Sequence, residues 1–365
     1  MTVYALVDAA AVAINLIIIL LIIFGKDEHA VFIGKTRENI VKRRLFIAMC
    51  SIGFTETAWS FIKDILYFTT DKNEAFFQET GTRILVITDM FLSDAGCMIL
   101  VLLWLLFVDY SIYRSEGHIR KHYPPYIAVT GIIVAAYALA LFIVLFVFSG
   151  QSSWTAGLLL LFTAVAMYVI QCVFAVKAYR IAANYEKDRN PPLFLRLYVF
   201  VLPVVAGSIL GNFVFEGFQS LGFAIGLLLT LYIQGKRNRY LDPDTGFYNR
   251  DFLQVMQDYL EKKGYLKGTG VVFSAPGRTN DLATAAEKMH ADNSELFLLP
   301  GGDVLLTSGE QDDDALNLII RVIREYAAKA DPPYEVDAKT AIRYDGESAK
   351  EYTTRLLNLA SRGEV

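Results

Sequence analysis

Leu299-Pro300-Gly301-Gly302-Asp303-Val304-Leu305-Leu306-Thr307 decides how the last third of this chain is read. Two glycines and an aspartate stand between apolar runs rich in strand-forming residues, the pattern of a tight hairpin with an acidic tip. Gly and Asp are ordinary turn residues, so the stretch by itself is a turn. Its carboxylate becomes a candidate metal or phosphate contact only through what surrounds it.

Around the hairpin, apolar periodicity lays out an α/β order. Helical spacing runs over Phe252–Lys262, with Phe252, Val255, Met256 and Tyr259 on one face. A short strand follows at Thr269–Ser274, a helix at Asp281–Met289 and the hairpin over Glu295–Thr307. An amphipathic helix at Asp314–Ala330 buries Leu316, Ile319, Ile320 and Ile323. A strand over Val336–Tyr344 and a helix over Glu347–Ala360 complete a sheet covered by helices. The acidic run Glu310–Asp314 reads as a helix cap, because carboxylates favour the positive end of the helix dipole and consecutive acids make no directed metal cage.

The remainder of the chain is of another kind. Hydrophobic residues make up 54% of the 365 and mean hydropathy is positive, which places the chain among membrane proteins. Apolar runs at Val3–Phe24, Leu45–Phe68, Ile84–Val108, Tyr126–Phe148, Trp154–Val176, Leu193–Phe215 and Phe218–Ile233 give seven expected transmembrane helices. The first lacks a basic leader and a small-residue cleavage site, so it reads as a retained span. Lys26, Lys35, Arg37, Lys42, Arg43 and Arg44 crowd the first connection, Arg114, Arg120 and Lys121 the third, and Lys177, Arg180, Lys187, Arg189 and Arg196 flank the fifth. Lys236, Arg237 and Arg239 follow the last run. The positive-inside rule then puts the N-terminus outside and the C-terminal part in the cytoplasm of a bacterial inner membrane.

Residues 1–240 carry 20 Lys+Arg against 16 Asp+Glu, and residues 241–365 carry 14 against 22. The two regions are expected to be a seven-helix sensor domain and a cytoplasmic α/β domain, joined within two turns by Gln234–Tyr240 and the turn at Pro243. The acidity of the second argues against nucleic acid as a partner. Cys50, Cys97 and Cys172 lie in apolar runs without metal-ligand spacing and read as packing residues.

Ionisable and polar residues interrupt the spans: Asp8, Asn15, Glu56, Lys63, Asp64, Asp89, Asp94, Gln171, Asn212 and Glu216. A charge at mid-bilayer costs about 2.5–3.5 kcal/mol on insertion scales, so such groups face a partner or a cavity. Glu56, Asp89 and Asp94 are the candidates for an outward-facing cavity taking a small-molecule or ion ligand, a cationic solute fitting their charge. The bland alternative is paired structural groups and span ends in headgroup water.

Asp242-Pro243-Asp244-Thr245-Gly246-Phe247-Tyr248-Asn249-Arg250-Asp251-Phe252-Leu253 resembles the opening segment of GGDEF domains, the diguanylate cyclases, and Gly301-Gly302-Asp303 lies where that family's signature hairpin falls. The resemblance covers the region from Asp242 onward and implies a shortened GGDEF fold. It also implies cyclic di-GMP chemistry, in which acidic residues hold two divalent metals that join two GTP molecules across a dimer. Asp303 matches one metal-ligand position, and Asn280, Gly301, Gly302 and Asp303 match nucleotide contacts. Ser274 occupies the place of the second metal aspartate, and a neutral hydroxyl cannot supply a carboxylate's charge to a hard cation. Val304 and Leu305 stand at the fourth and fifth signature positions, and the segment between Asp281 and Gly301 is about half the family's length.

The expectation is therefore a seven-helix membrane receptor with a degenerate GGDEF-like domain. It would relay a signal by homodimer formation, by pairing with another GGDEF-type domain, or by binding GTP with Mg as a regulatory ligand. An active diguanylate cyclase with an atypical site is the first alternative. A transporter or rhodopsin-like protein is the second, although the seventh span has no lysine for a retinal Schiff base.

Overall fold

The computed structural model describes residues 3–24, 37–69, 80–113, 116–146, 154–187, 198–213, 217–262, 264, 268–288, 294–308 and 313–361. Packing divides the chain into two units. One is drawn from Met1–Val31, Val41–Ala182 and Leu195–Gln234, and the other contains Gly235–Val365 with two short earlier segments.

The first unit is helical: α1 (Val3–Phe24), α2 (Arg37–Thr69), α3 (Thr80–Tyr113), the short α4 (Glu116–His122), α5 (Pro124–Phe146), α6 (Trp154–Lys187), α7 (Tyr198–Phe213) and α8 (Gly217–Asn238), whose last turn enters the second unit. Five of these, α2, α3, α5, α6 and α8, are long and apolar enough to cross a membrane, against the seven expected. The described apolar part of α1 is confined to Leu6–Ile22. Helix α7 has 16 residues and contains Pro203. The residues that flank it on both sides lie outside the described ones.

The unit is built inside out. α3 is its central helix, with 72% of its most apolar window buried among neighbours, whereas α6 has 11%. α6 turns Leu161, Phe162, Val165, Val169, Val173 and Val176 outward, while Asp8, Asn15, Glu56, Asp64 and Asp89 are buried. Apolar exteriors around polar interiors are what a lipid solvent selects, and the long apolar helices make this an integral membrane protein. Of the three cysteines, Cys50 and Cys97 are buried as expected, but Cys172 is exposed on α6, because this helix faces outward along most of its length.

The second unit orders its elements as α9 (Arg250–Lys262), β1 (Thr269–Ser274), α10 (Thr279–Lys288), β2 (Ser294–Leu298), β3 (Val304–Ser308), α11 (Asp313–Ala328), β4 (Asp337–Ile342) and α12 (Ala349–Ser361). The strands form one sheet in the order β2-β3-β1-β4, with β1–β3, β1–β4 and β2–β3 all antiparallel. The β-α-β-β-α-β sequence with this order is the split βαβ arrangement. Strand alternation sends Val271, Phe273, Val304 and Leu306 to one face, under Leu282, Leu316 and Ile323 of α10 and α11. Val272, Leu305 and Phe297 go to the other, under Phe252, Met256, Tyr352 and Leu356 of α9 and α12.

The expected elements all occur, with shifted ends. The last helix begins at Ala349 and not Glu347, because Ser348 and Glu351 form a capping box. The Ser348 amide donates to Glu351 at 2.9 Å, and the Glu351 amide to Ser348 Oγ at 3.3 Å. Helix α10 starts two residues early, at Thr279, and the last strand is shorter than Val336–Tyr344. Most of the acidic run Glu310–Asp314 lies outside the described residues, as does Glu216.

The opening motif Asp242–Leu253 is a folded joint. Asp242 Oδ1 accepts from the Thr245 amide and hydroxyl, both at 2.8 Å, and Gly246 closes the turn at φ 75°. Asn249 Oδ1 caps α9 by accepting from the amides of Asp251 and Phe252 at 3.1 and 3.2 Å. Between them Tyr248 pairs with the free edge of β2, donating to Leu296 O at 3.1 Å and accepting from the Leu298 amide at 2.8 Å. At the other edge, Arg355 donates to Ile342 O and forms a two-pronged pair with Glu347 at 2.7 and 2.9 Å.

The hydrogen bond from Arg355 holds the Glu347 carboxyl below its usual 4.5. A depressed folded-state value means that this pair stabilises the fold fully above that range. The contribution is lost as pH falls through the lowered value. Arg355→Met is therefore expected to cost on the order of 1 kcal/mol more at neutral pH than in acid, where only the loss of its bond to Ile342 O remains, read by urea unfolding at both. Equal costs at the two pH values would mean that the charge pair is not the source.

Candidate functional site

The hairpin keeps the geometry its sequence announces. Leu298 pairs with Val304, and the five residues between are closed by the Leu299 amide donating to Asp303 O at 2.8 Å and the Gly302 amide donating to Leu299 O at 3.1 Å. Gly301 and Gly302 have φ 92° and 89°, where side-chain-bearing residues are strained. Gly302 has a second reason to lack a side chain: a Cβ there would stand 2.3 Å from Thr279 Oγ1. The hairpin therefore lies directly on the first residue of α10, beside Asn280.

The strand register brings the remaining candidates to the same end of the sheet. Phe273 of β1 lies opposite Val304 of β3, so Ser274 and Asp303, one step on in each strand, fall at neighbouring places. Across β1 on its other side, Ser274 pairs with Asp337 of β4, which forms an ion pair with Lys339 at 3.5 Å. Asp303 is half-buried and Asn280 is exposed. The Asn280 backbone carbonyl accepts from Thr284 Oγ1 at 2.8 Å, and Asn280 stands in the first turn of α10. The adjacent Asp281 is paired to Arg278 at 3.0 Å. Among the described residues, no group of three or more His, Cys, Asp or Glu side chains is placed to hold a metal.

This end of the sheet thus offers the half-buried Asp303 carboxylate, a neutral hydroxyl beside it, the ion-paired Asp281 and Asp337, a helix N-terminus and a glycine turn. Such a surface can receive an anionic or polar group through backbone and side-chain hydrogen bonds. Thr279, on which the hairpin rests, had no signal in the sequence: a threonine opening a helix reads only as a helix-start residue.

The membrane candidates separate. Glu56 accepts from Ser220 Oγ of α8 at 2.7 Å. Asp89 pairs with Lys63 of α2, and Asp94 accepts from Tyr137 of α5. Asp89 and Asp94 are five residues apart on α3, about 140° around the helix, so they address different neighbours. Further polar contacts run Asn15 to Thr57 at 3.4 Å and Cys97 to Gln171 at 3.3 Å. The Asn212 side chain is outside the described residues.

No protein-family model matches the chain, and no curated protein matches it. Among solved structures, the chain is similar to the diguanylate cyclase SiaD of Pseudomonas aeruginosa, crystallised in complex with its activator SiaC. The likeness spans 67% of this chain and 97% of that one, at 12% identity and a TM-score of 0.28.

Proposed function

We propose that this chain is a membrane signalling protein whose C-terminal domain, on the cytoplasmic side, is a degenerate GGDEF-like module that relays a signal by binding nucleotide or a partner and not by catalysis. The observation that carries the reading is the register at the hairpin. The residue neighbouring Asp303 on the central strand is Ser274, so the position that must bring a second carboxylate to a two-metal site brings a hydroxyl. The glycine hairpin and the Asn280 turn remain, and these are the parts that would touch a base or a phosphate rather than activate it.

A route from the last membrane helix to this hairpin supports the signalling half of the reading. Arg237, at the end of α8, donates to Tyr248 OH at 3.3 Å. The backbone of Tyr248 is bonded to β2, and β2 leads directly into the hairpin. Within the second unit, hydrogen bonds and one strand thus link Arg237 to Gly301–Asp303.

The deciding experiment incubates the purified full-length chain with GTP and magnesium and follows both bound nucleotide and cyclic dinucleotide. Saturable GTP binding that Asp303→Ala weakens by about tenfold, with no cyclic product, is the expected result; tenfold corresponds to roughly 1.4 kcal/mol. Sustained formation of cyclic di-GMP would replace this reading with that of an active cyclase.

A further inference from the structure

The four-stranded sheet has two outer strands, and the chain closes one of them along its length: at β2 the outward groups of Leu296 and Leu298 are bonded to Tyr248. At β4 the chain closes only the two ends. The Arg343 amide donates to Gly268 O on the β1 side at 3.0 Å. By the alternation of an antiparallel strand, Asp337, Lys339 and Ala341 then turn their backbone groups to β1, while Val336, Ala338, Thr340 and Ile342 turn theirs outward. Ile342 O accepts from Arg355 Nη2 at 2.6 Å, and Val336 O accepts from Arg324 Nε at 3.3 Å. The outward N–H and C=O of Ala338 and Thr340, between those ends, meet no partner among the described residues.

An open strand edge is a template for a further strand, and the side chains beside it select which one. Asp337 and Lys339 project to the same face, with side chains 60% and 34% exposed, and form an ion pair at 3.5 Å. Lys339 also donates to Leu359 O at 3.5 Å. Ala338, between them, is small and half-buried. A second copy running antiparallel, with the two-fold axis at Ala338, sets Ala338 opposite Ala338 and each Asp337 opposite the other copy's Lys339. Thr340 then faces Val336, whose carbonyl keeps a second lone pair beside Arg324. The neighbouring registers fail. An axis at Lys339 sets two ammonium groups face to face. An axis at Thr340 needs Ile342 O, which Arg355 holds, and sets Asp337 against Arg343, which is buried and paired with Glu261 at 3.3 Å.

We infer that β4 is the contact through which two copies of this chain pair, by a ladder centred on Ala338 that joins their sheets into one. So short a ladder binds weakly between dilute molecules, and holding both copies in one membrane raises their effective concentration. The pairing is therefore reversible, as a signalling contact must be. The edge belongs to the second unit and is tested without nucleotide, so this inference and the nucleotide reading stand or fall separately.

The test is disulfide capture in liposomes that hold the purified full-length chain carrying Cys172→Ser, which removes the exposed native thiol. In the inferred register the two Cα atoms at position 338 are about 5.5 Å apart, within reach of a disulfide, and those at position 340 are roughly 14 Å apart. The expected result is a covalent dimer from Ala338→Cys under mild oxidation and none above background from Thr340→Cys. Adding Lys339→Glu to Ala338→Cys sets acid against acid and lowers the dimer yield by about tenfold. Adding Asp337→Lys as well makes opposite charges face each other again and restores the yield, which separates lost pairing from lost folding. Equal capture at positions 338 and 340, a yield that Lys339→Glu leaves unchanged, or monomer throughout overturns the inference, the last leaving this edge to a strand of another protein.

Discussion

Gly222→Val is expected to leave little folded protein. At this position α8 crosses α7 with backbone against backbone: a Cβ on Gly222 would stand 2.5 Å from Pro203 O and 2.9 Å from Gly207 Cα. The contact is reciprocal, since a Cβ on Gly207 would lie 2.6 Å from Phe218 O. Backbone atoms cannot rotate aside as a side chain can, so the two helices must separate. Small residues at such crossings are what lets membrane helices approach closely in the absence of a hydrophobic drive between them. The cost is on the order of 3 kcal/mol, at the upper end for overpacking. It is measured as the yield of monodisperse protein in mild detergent and as the thermal midpoint. Gly235→Val is the control, because a Cβ there meets nothing within 4 Å. If both variants melted like the wild type, the α7–α8 crossing would be wrong.

In the second unit the largest loss is expected from Phe252→Ala, about 3–5 kcal/mol. Phe252 is 1% exposed and stacks on Tyr248 at 4.0 Å, with Phe297 at 6.2 Å and Tyr240 at 5.8 Å between ring centres. It packs the joint against the sheet, so the cavity would also release Tyr248 from the β2 edge. Val255→Ala on the same helix should cost under about 1 kcal/mol, because Val255 is substantially exposed and loses little contact. Urea unfolding of the full-length chain followed by limited proteolysis separates the two. Equal sensitivity would show that α9 does not pack through Phe252.

Much of this was legible in one dimension. The short apolar, strand-forming runs that mark β1 and β3 and the apolar stripe of α11 follow from local residue chemistry, so those elements stand in the sequence. The glycine hairpin was legible for the same reason, as its positive φ angles admit few other residues. The Ser348–Glu351 capping box is equally local, and it starts α12 at Ala349, two residues after the point that periodicity alone gives.

Seven apolar runs stand in the sequence, and five of the described helices are long and apolar enough to cross a membrane; hydropathy registers apolar runs without registering where a helix ends. Side-chain direction around each helix is not legible from depth alone: Asp89 pairs with Lys63 and Asp94 accepts from Tyr137.

By itself, the sequence determined a lipid-solvated helical part, an acidic α/β part and a glycine hairpin bearing a single aspartate, all of which follow from composition and short-range periodicity. Only the tertiary structure decided that Ser274 stands beside Asp303 and that Thr279 lies under Gly302. Each of these pairs residues far apart in the chain, and such pairings are set by strand register and helix rotation, which no local pattern encodes.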